Sequence, residues 1–326
     1  MKIKVVSSGL VTPSGIGALG SDVSPSIVPS AGGVRTHPVT LVDRNAPELA
    51  RWSKEPRMRR ASSISYYMIE AANQALEAIP EADRSRVGIV ATFFLGCLMY
   101  SVKFYRQIYE EGRRFGSPIL FPETVFNSPV SHVVSVLGIG GPVYSQIGDK
   151  SCWVTGMRTA ESWLRNGDAE HVIVLGAEEF DPIALDAFYS AGFLTKKTVV
   201  GDGAGAILLG RGGDDEGGVF IDRLADGYGF SDQPEALTAA SSCLDQFPET
   251  TPILSTATSW TEVLERKATE GRPLIPLKTP LCEAFTARAA WDTIQGLQIM
   301  GDAKLESLVI PYWGLSQQIG AVRLSR

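Results

Sequence analysis

Histidine is scarce. Of 326 residues only His37, His132 and His171 are histidine, so no imidazole is available to chemistry drawn from beyond residue 171. Cysteine is almost as thin: Cys97, Cys152, Cys243 and Cys282 form no Cys-x-x-Cys pair and have no metal-ligand spacing. This excludes a disulfide framework and a structural zinc site, and reduced thiols are expected. Positive charge is not in excess, since 30 Lys and Arg against 36 Asp and Glu leave a net charge of −6, so nothing points to a nucleic-acid surface. No apolar run approaches the roughly 20 residues that span a bilayer. Met1 to Gly15 reads as a strand and a Pro-Ser-Gly turn rather than a signal peptide, so a cytoplasmic protein is expected.

What is present is a globular composition, 44% hydrophobic and 20% charged, enough for a sizeable core. The most organised stretch is residues 141–178. Val143 to Ile147 is a short extended run, and Asp149 or Ser151 can cap the helix that follows. Val154, Met157, Ala160 and Leu164 recur at helical spacing, Gly167-Asp168 stops the helix, and His171 to Leu175 is a continuous apolar strand of the kind buried in a parallel sheet. A strand that breaks sharply into a buried helix projects a side chain at the helix start, where free N–H groups and the dipole favour a thiolate or an oxyanion.

Around this stretch, Ile3 to Val6 and Val87 to Phe93 read as strands, residues 20–50 as a loop, and Ser62 to Ala78 as a helix with Ile64, Tyr67, Met68, Ala71 and Ala75 on its inner face. Met99, Phe104, Tyr105, Ile108 and Tyr109 fall on a helix ending near Gly112. Gly201-Asp202-Gly203-Ala204-Gly205-Ala206 has no Gly-Lys-Ser/Thr and no acidic ribose partner, so it reads as a tight turn into a strand rather than a nucleotide loop. Residues 212–218 form a polar hinge. Beyond it Val219 to Leu224, Ile253 to Thr256, Leu274 to Leu277, Ser307 to Pro311 and Gly320 to Leu324 read as strands, with one clear helix from Glu283 to Met300.

Several runs together resemble the β-ketoacyl synthases of the thiolase-like superfamily. They are Gly9 to Pro13, the Ser117-Pro118 to Pro129 segment, Gly167-Asp168-Ala169-Glu170, Leu175-Gly176-Ala177-Glu178, and the Gly201 to Leu209 turn. The resemblance implies an α/β fold of five layers, α-β-α-β-α. It implies one domain over 1–326 built of two related halves, about 1–211 and 217–326, the second shortened. It is strongest over residues 117–211. Within that frame Lys150 stands at the family's nucleophile position, and Cys152 lies two residues later. Thr256 stands at the first catalytic histidine and Glu283 at the second, while Lys278 keeps the family's structural site lysine. The two degenerate positions converge on one pocket, so a Lys150–Glu283 ion pair is expected, with Asp149 as an alternative counter-ion.

The same resemblance places Phe104, Tyr105, Ile108, Phe126, Asn127 and His132 at a subunit interface or along an acyl tunnel, although these aromatics also suit an ordinary core. Arg57, Arg59 and Arg60 read either as a solvated helix entry or as a patch for an acidic carrier protein. No cofactor and no metal are implied. Three functions stay open at this point. One is a silent synthase homologue of the chain-length-factor type, which pairs with an active ketosynthase and meets an acyl carrier protein through the complex. The second is an acyltransferase or ketosynthase that uses Cys152. The third is a homodimeric scaffold or binding protein.

Overall fold

A computed structural model describes residues 2–20, 23–33, 35–213, 217–225, 227–279, 281–315 and 318–326. The acidic centre of the expected hinge (214–216), Pro280 in the 278–287 run and residues 316–317 near the last strand lie outside the described residues. Five strands form the first half: β1 (Lys2–Thr12), β2 (Val87–Phe93), β3 (Val143–Ile147), β4 (His171–Glu178) and β5 (Gly203–Gly212). Five more form the second: β6 (Val219–Leu224), β7 (Ile253–Leu254), β8 (Leu274–Ile275), β9 (Ser307–Trp313) and β10 (Gln318–Ser325). They follow one hydrogen-bonded path, β8-β7-β9-β10-β6-β1-β5-β4-β2-β3.

That path contains a repeat. In the first half β2 pairs in parallel with β3 and β4, β4 runs antiparallel to β5, and β5 antiparallel to β1. In the second half β7 pairs in parallel with β8 and β9, β9 runs antiparallel to β10, and β10 antiparallel to β6. Strand order and direction are the same in both halves, which join where β1 meets β6.

Among the described residues, eight α-helices of at least eight residues position the rest: α1 (Ser63–Leu76), α2 (Leu98–Glu111), α3 (Ser128–Leu137), α4 (Cys152–Asn166), α5 (Pro182–Ser190), α6 (Gln233–Leu244), α7 (Thr261–Ala268) and α8 (Phe285–Ala303). Strand periodicity sorts them into layers. Val172 and Val174 of β4 face a core shared with α4 and α8, whereas Ile173 and Leu175 face one shared with α1 and α3. In β9, Leu308 and Ile310 turn to that same middle layer, and Val309 turns out to α6 and α7. The layers therefore run α1/α3, sheet, α4/α8, sheet, α6/α7.

The stripe Val154, Met157, Ala160 and Leu164 is buried as its spacing predicts. The middle layer is built from equivalents, because α4 and α8 each connect the third and fourth strands of their half. Gly176 is required there: a Cβ on it would lie 2.2 Å from the carbonyl oxygen of Thr286 at the start of α8.

Three expectations change. Residues 20–50 are not loop throughout, since Ser26–Pro29 and Thr36–Thr40 pair as a hairpin pinned to α5 by a 2.6 Å contact between His37 and Asp186. The second half has α6 and α7 besides α8. Finally, Ser151 occupies the N-cap of α4 without capping it; Asp149 Oδ1 accepts from the Ser151 N–H (3.2 Å) and hydroxyl (2.9 Å).

Candidate functional site

The two middle-layer helices bring their starts together. Lys150 precedes α4, Glu283 precedes α8, and Lys150 Nζ donates to Glu283 Oε2 at 2.7 Å with both side chains essentially inaccessible (1% and 0% exposed). The ion pair expected between these positions is formed. Its carboxylate is also held by the Phe285 N–H, which donates to Oε1 at 2.8 Å, and by the Thr258 hydroxyl, which donates to Oε2. Burial would raise the Glu283 pKa, but Lys150, the nearby Arg288 and these hydrogen bonds outweigh it and hold the carboxyl below the usual range.

Backbone bonds fix Glu283 in place. Its N–H donates to the Val199 carbonyl and its carbonyl accepts from Gly201 N–H, both at 2.8 Å, so residues 199–201 dock against it like a strand. Arg288, on the first turn of α8, donates to the carbonyls of Leu281 (2.6 Å) and Cys282 (3.1 Å) and to Asp292 Oδ1 (2.6 Å). Burial pushes Asp292 up to about 6 despite Arg288. Asp149, the alternative counter-ion, instead ties α4 to the second half, since its Oδ2 accepts from Gln318 N–H at 3.2 Å. Gly314 makes room for that contact, because a Cβ there would lie 2.2 Å from Asp149 Oδ2.

Other site positions depart from expectation. Thr256 points away: its hydroxyl donates to the Pro311 carbonyl at 2.7 Å, and Thr258, two residues on, is the one that reaches Glu283. Glu265 of α7 sets this loop by accepting from the N–H groups of Thr256 (2.9 Å) and Ala257 (3.2 Å) and the Trp313 indole N–H (2.8 Å). Lys278 does not enter the site. It lies exposed and pairs with Asp302 at the end of α8, because the loop it stands on runs along the surface.

Cys152, at the first position of α4, was expected to be acidified by the helix start. Burial wins instead, helped by the negative charges of Asp149 and Glu178, and the thiol is pushed up to about 12. A cleft of about 560 Å³ opens to Thr258 and Glu283, with Thr195, Lys196, Lys197 and Ser259 among its walls. The cleft ends at Thr258 and Glu283, and the Lys150 ammonium is buried behind the carboxylate; no cysteine or histidine is among the residues lining it.

The three histidines lie elsewhere. His37 stacks on Tyr189 with ring centroids 4.3 Å apart, His171 opens β4, and His132 contacts Glu123 at 3.0 Å. Phe104 and Ile108 are half-buried on α2, Tyr105 is 67% exposed, and Asn127 is exposed. Phe126 is half-buried and rests on the turn at Gly96, where a Cβ would meet its ring at 2.5 Å. In the single chain these residues belong to the surface and to the packing beneath it. Nine of the thirteen exposed large hydrophobic side chains among the described residues lie between Tyr105 and Ile147, so the unpartnered apolar surface is concentrated on α2, the turns after it and edge strand β3.

A model of 3-oxoacyl-[acyl-carrier-protein] synthase III matches residues 136–227, which hold β3, α4, β4 and β5. A 3-oxoacyl-[acyl-carrier-protein] synthase 2 from Vibrio harveyi is 27% identical over 176 residues, 46% of this chain and 42% of that protein. The ishigamide ketosynthase/chain length factor superposes over 100% of this chain and 99% of its own, with a TM-score of 0.80 at 15% identity. The chain therefore has a ketosynthase-like, thiolase-type α/β fold. A type II PKS acyl-carrier protein in complex with its ketosynthase, AntDE:AntF, gives a TM-score of 0.76 at 15% identity over 99% of both chains. The sequence match thus spans about two-fifths of the length of the curated synthase, while the ketosynthase fold extends through all the described layers. Among the described residues, no helix is long and apolar enough to cross a membrane.

Proposed function

We propose that this β-ketoacyl synthase homologue is the non-catalytic, chain-length-setting partner of an active ketosynthase in polyketide or fatty-acid-like elongation. The observation that carries the reading is Lys150: the side chain at the start of α4 is an ammonium locked in a buried ion pair with Glu283. A condensing enzyme needs a thiolate there to accept the acyl group, and imidazoles to stabilise the enolate formed on decarboxylation. A protonated amine bound to a carboxylate has no free electron pair with which to attack a thioester. Cys152 is a poor substitute, since a thiol pushed up to about 12 is almost wholly protonated at neutral pH.

The aromatic surface between Tyr105 and Ile147 supports pairing. Edge strand β3 exposes Val143, Tyr144 and Ile147, and such an edge is suited to a strand from a homologous chain. Phe104, Tyr105, Ile108, Phe126 and Asn127 would then lie at the shared boundary, where their bulk limits the space for a growing chain. Exposed Arg57, Arg59 and Arg60, on the turn just before α1, suit an acidic acyl carrier protein. On this reading residues 1–326 are one cytoplasmic domain, its halves meeting near 211–217. The saving in length falls in the second half, where β7 and β8 have two residues each.

Co-expression with a ketosynthase that retains its cysteine and histidines, followed by native mass measurement, tests the proposal. A stable one-to-one complex that condenses malonyl-carrier units, while this chain alone does not, is the expected result. Condensation by this chain alone, abolished in Cys152→Ala, would establish the enzymatic alternative. A homodimer that ignores the synthase would establish the scaffold.

A further inference from the structure

Helix α2 carries much of the apolar surface, yet none of its fourteen residues is buried. Its principal contacts are with the turns that follow it, through Phe104 against Phe121 (ring centroids 5.6 Å apart) and Ser101 against the Thr124 carbonyl (3.2 Å). Both partners belong to the same excursion from the sheet, so packing alone gives α2 little hold on the core. Its N-cap residue, Cys97, makes no side-chain cap, and neither does Ser62 at the start of α1.

The missing caps are supplied from the end of β4. Glu179 Oε1 accepts from Met99 N–H of α2 and Glu179 Oε2 from Ile64 N–H of α1, each at 3.3 Å, so one carboxylate caps two helices at their second residues. Its neighbour Glu178, pointing to the other face of the sheet, gathers the turn that leads into α2. It accepts from Phe94 N–H (2.6 Å), Leu95 N–H (2.9 Å), Gly96 N–H (3.2 Å) and the Thr286 hydroxyl of α8 (2.8 Å). Gly96 has φ +57°, the left-handed turn that lets three consecutive amides face one carboxylate. Both glutamates are 1% exposed.

We propose that Glu178 and Glu179 are positioning residues that clamp α2 to the sheet and hold its aromatic face where a partner chain can dock. The assignment of that face to a partner rests on the function proposed above; the clamp itself does not. The clamp makes α2 an arm attached at its base. Loss of Glu179 frees the helix starts without opening the middle layer, because α4 and α8 are buried along their own faces.

Hydrogen–deuterium exchange read by mass spectrometry on the full chain tests this with Glu179→Ala, Glu179→Gln and Glu178→Gln. In Glu179→Ala, peptides covering 97–111 should exchange roughly tenfold faster, while those from α4 and α8 keep their wild-type rates. Glu179→Gln retains an acceptor oxygen, so it should fall between the two and serves as the test if the alanine variant does not fold. Glu178→Gln should accelerate 94–97 most. Unchanged exchange over 94–111, or acceleration of α4 and α8 by the same factor, overturns the clamp. In a complex with a ketosynthase the same variants should dissociate faster than wild type. Failure to find any complex refutes the proposed function instead, and leaves the exchange result to judge the clamp.

Discussion

Replacing the two members of the buried pair, singly and together, tests the physical basis of the site. At 2.7 Å and an effective dielectric constant of about 20, Lys150 and Glu283 attract by about 6 kcal/mol. Desolvation costs several kcal/mol per ion, so the pair contributes little net stability compared with an apolar pair of the same volume. Removing one partner is different. Glu283→Met leaves an uncompensated ammonium in the middle layer and takes the acceptor from Thr258 and Phe285, so it should cost about 5 kcal/mol. Lys150→Met should cost less, about 3 kcal/mol, because Glu283 keeps those two donors and Arg288 nearby. Its deficit should also shrink as the pH falls, since loss of the lysine lets burial raise the Glu283 pKa and the carboxyl can then neutralise itself. The double variant leaves the Thr258 hydroxyl and Phe285 N–H without their acceptor but buries no charge, so a deficit of about 2 kcal/mol is expected. Urea denaturation at fixed pH, with midpoints and slopes, measures all four corners of the cycle. Single losses that simply add in the double variant, to about 8 kcal/mol, would refute the reasoning.

Three further outcomes follow from the geometry. Burial pushes Glu178 and Glu179 up to about 7 and Asp292 up to about 6, so the folded chain holds more protons than the unfolded one between their ordinary and raised values. Their contribution to stability is therefore full below the ordinary carboxylate range and is lost as the pH rises through about 6 to 7; denaturation midpoints should fall from pH 5 to pH 8, less steeply in Glu178→Gln. The protonated Cys152 thiol should resist iodoacetamide at pH 7 in the native chain and react once the chain is unfolded; rapid native labelling at that residue, located by peptide mapping, would contradict its burial. Tyr144→Asp and Ile147→Asp on the exposed edge of β3 should leave the melting temperature nearly unchanged while abolishing co-purification with a ketosynthase; an intact complex would exclude this edge from the interface.

Much of the first half was legible because its signals are local. The stripe from Val154 to Leu164, the stop at Gly167 and the apolar run of β4 each report a buried face within a few residues. Helices α6 and α7 were harder to read. The first is built mainly of small residues and the second is short and charged, so neither has strong apolar contrast, and their burial depends on β9 and β10. The Lys150–Glu283 pair was readable only through the family frame, since no local pattern relates residues 133 apart. The same frame misplaced Thr256 and Lys278. Alignment assigns a backbone position, but Glu265 decides which threonine of the loop turns inward, and the surface course of residues 276–279 decides that Lys278 meets Asp302.

By itself the sequence determined the alternation of strands and helices, the shortage of histidine and the lysine at the helix start, because each is a matter of residue type and spacing along the chain. Only the tertiary structure decided the charge environments. Cys152 sits at a helix start that favours a thiolate, yet burial and two neighbouring carboxylates oppose ionisation more strongly. Glu178 and Glu179 follow an ordinary apolar strand, and they acquire their roles from amides that the fold brings to them from residues 64 and 94–99. Desolvation and hydrogen bonding act through space, so their balance is settled by which distant segments pack together.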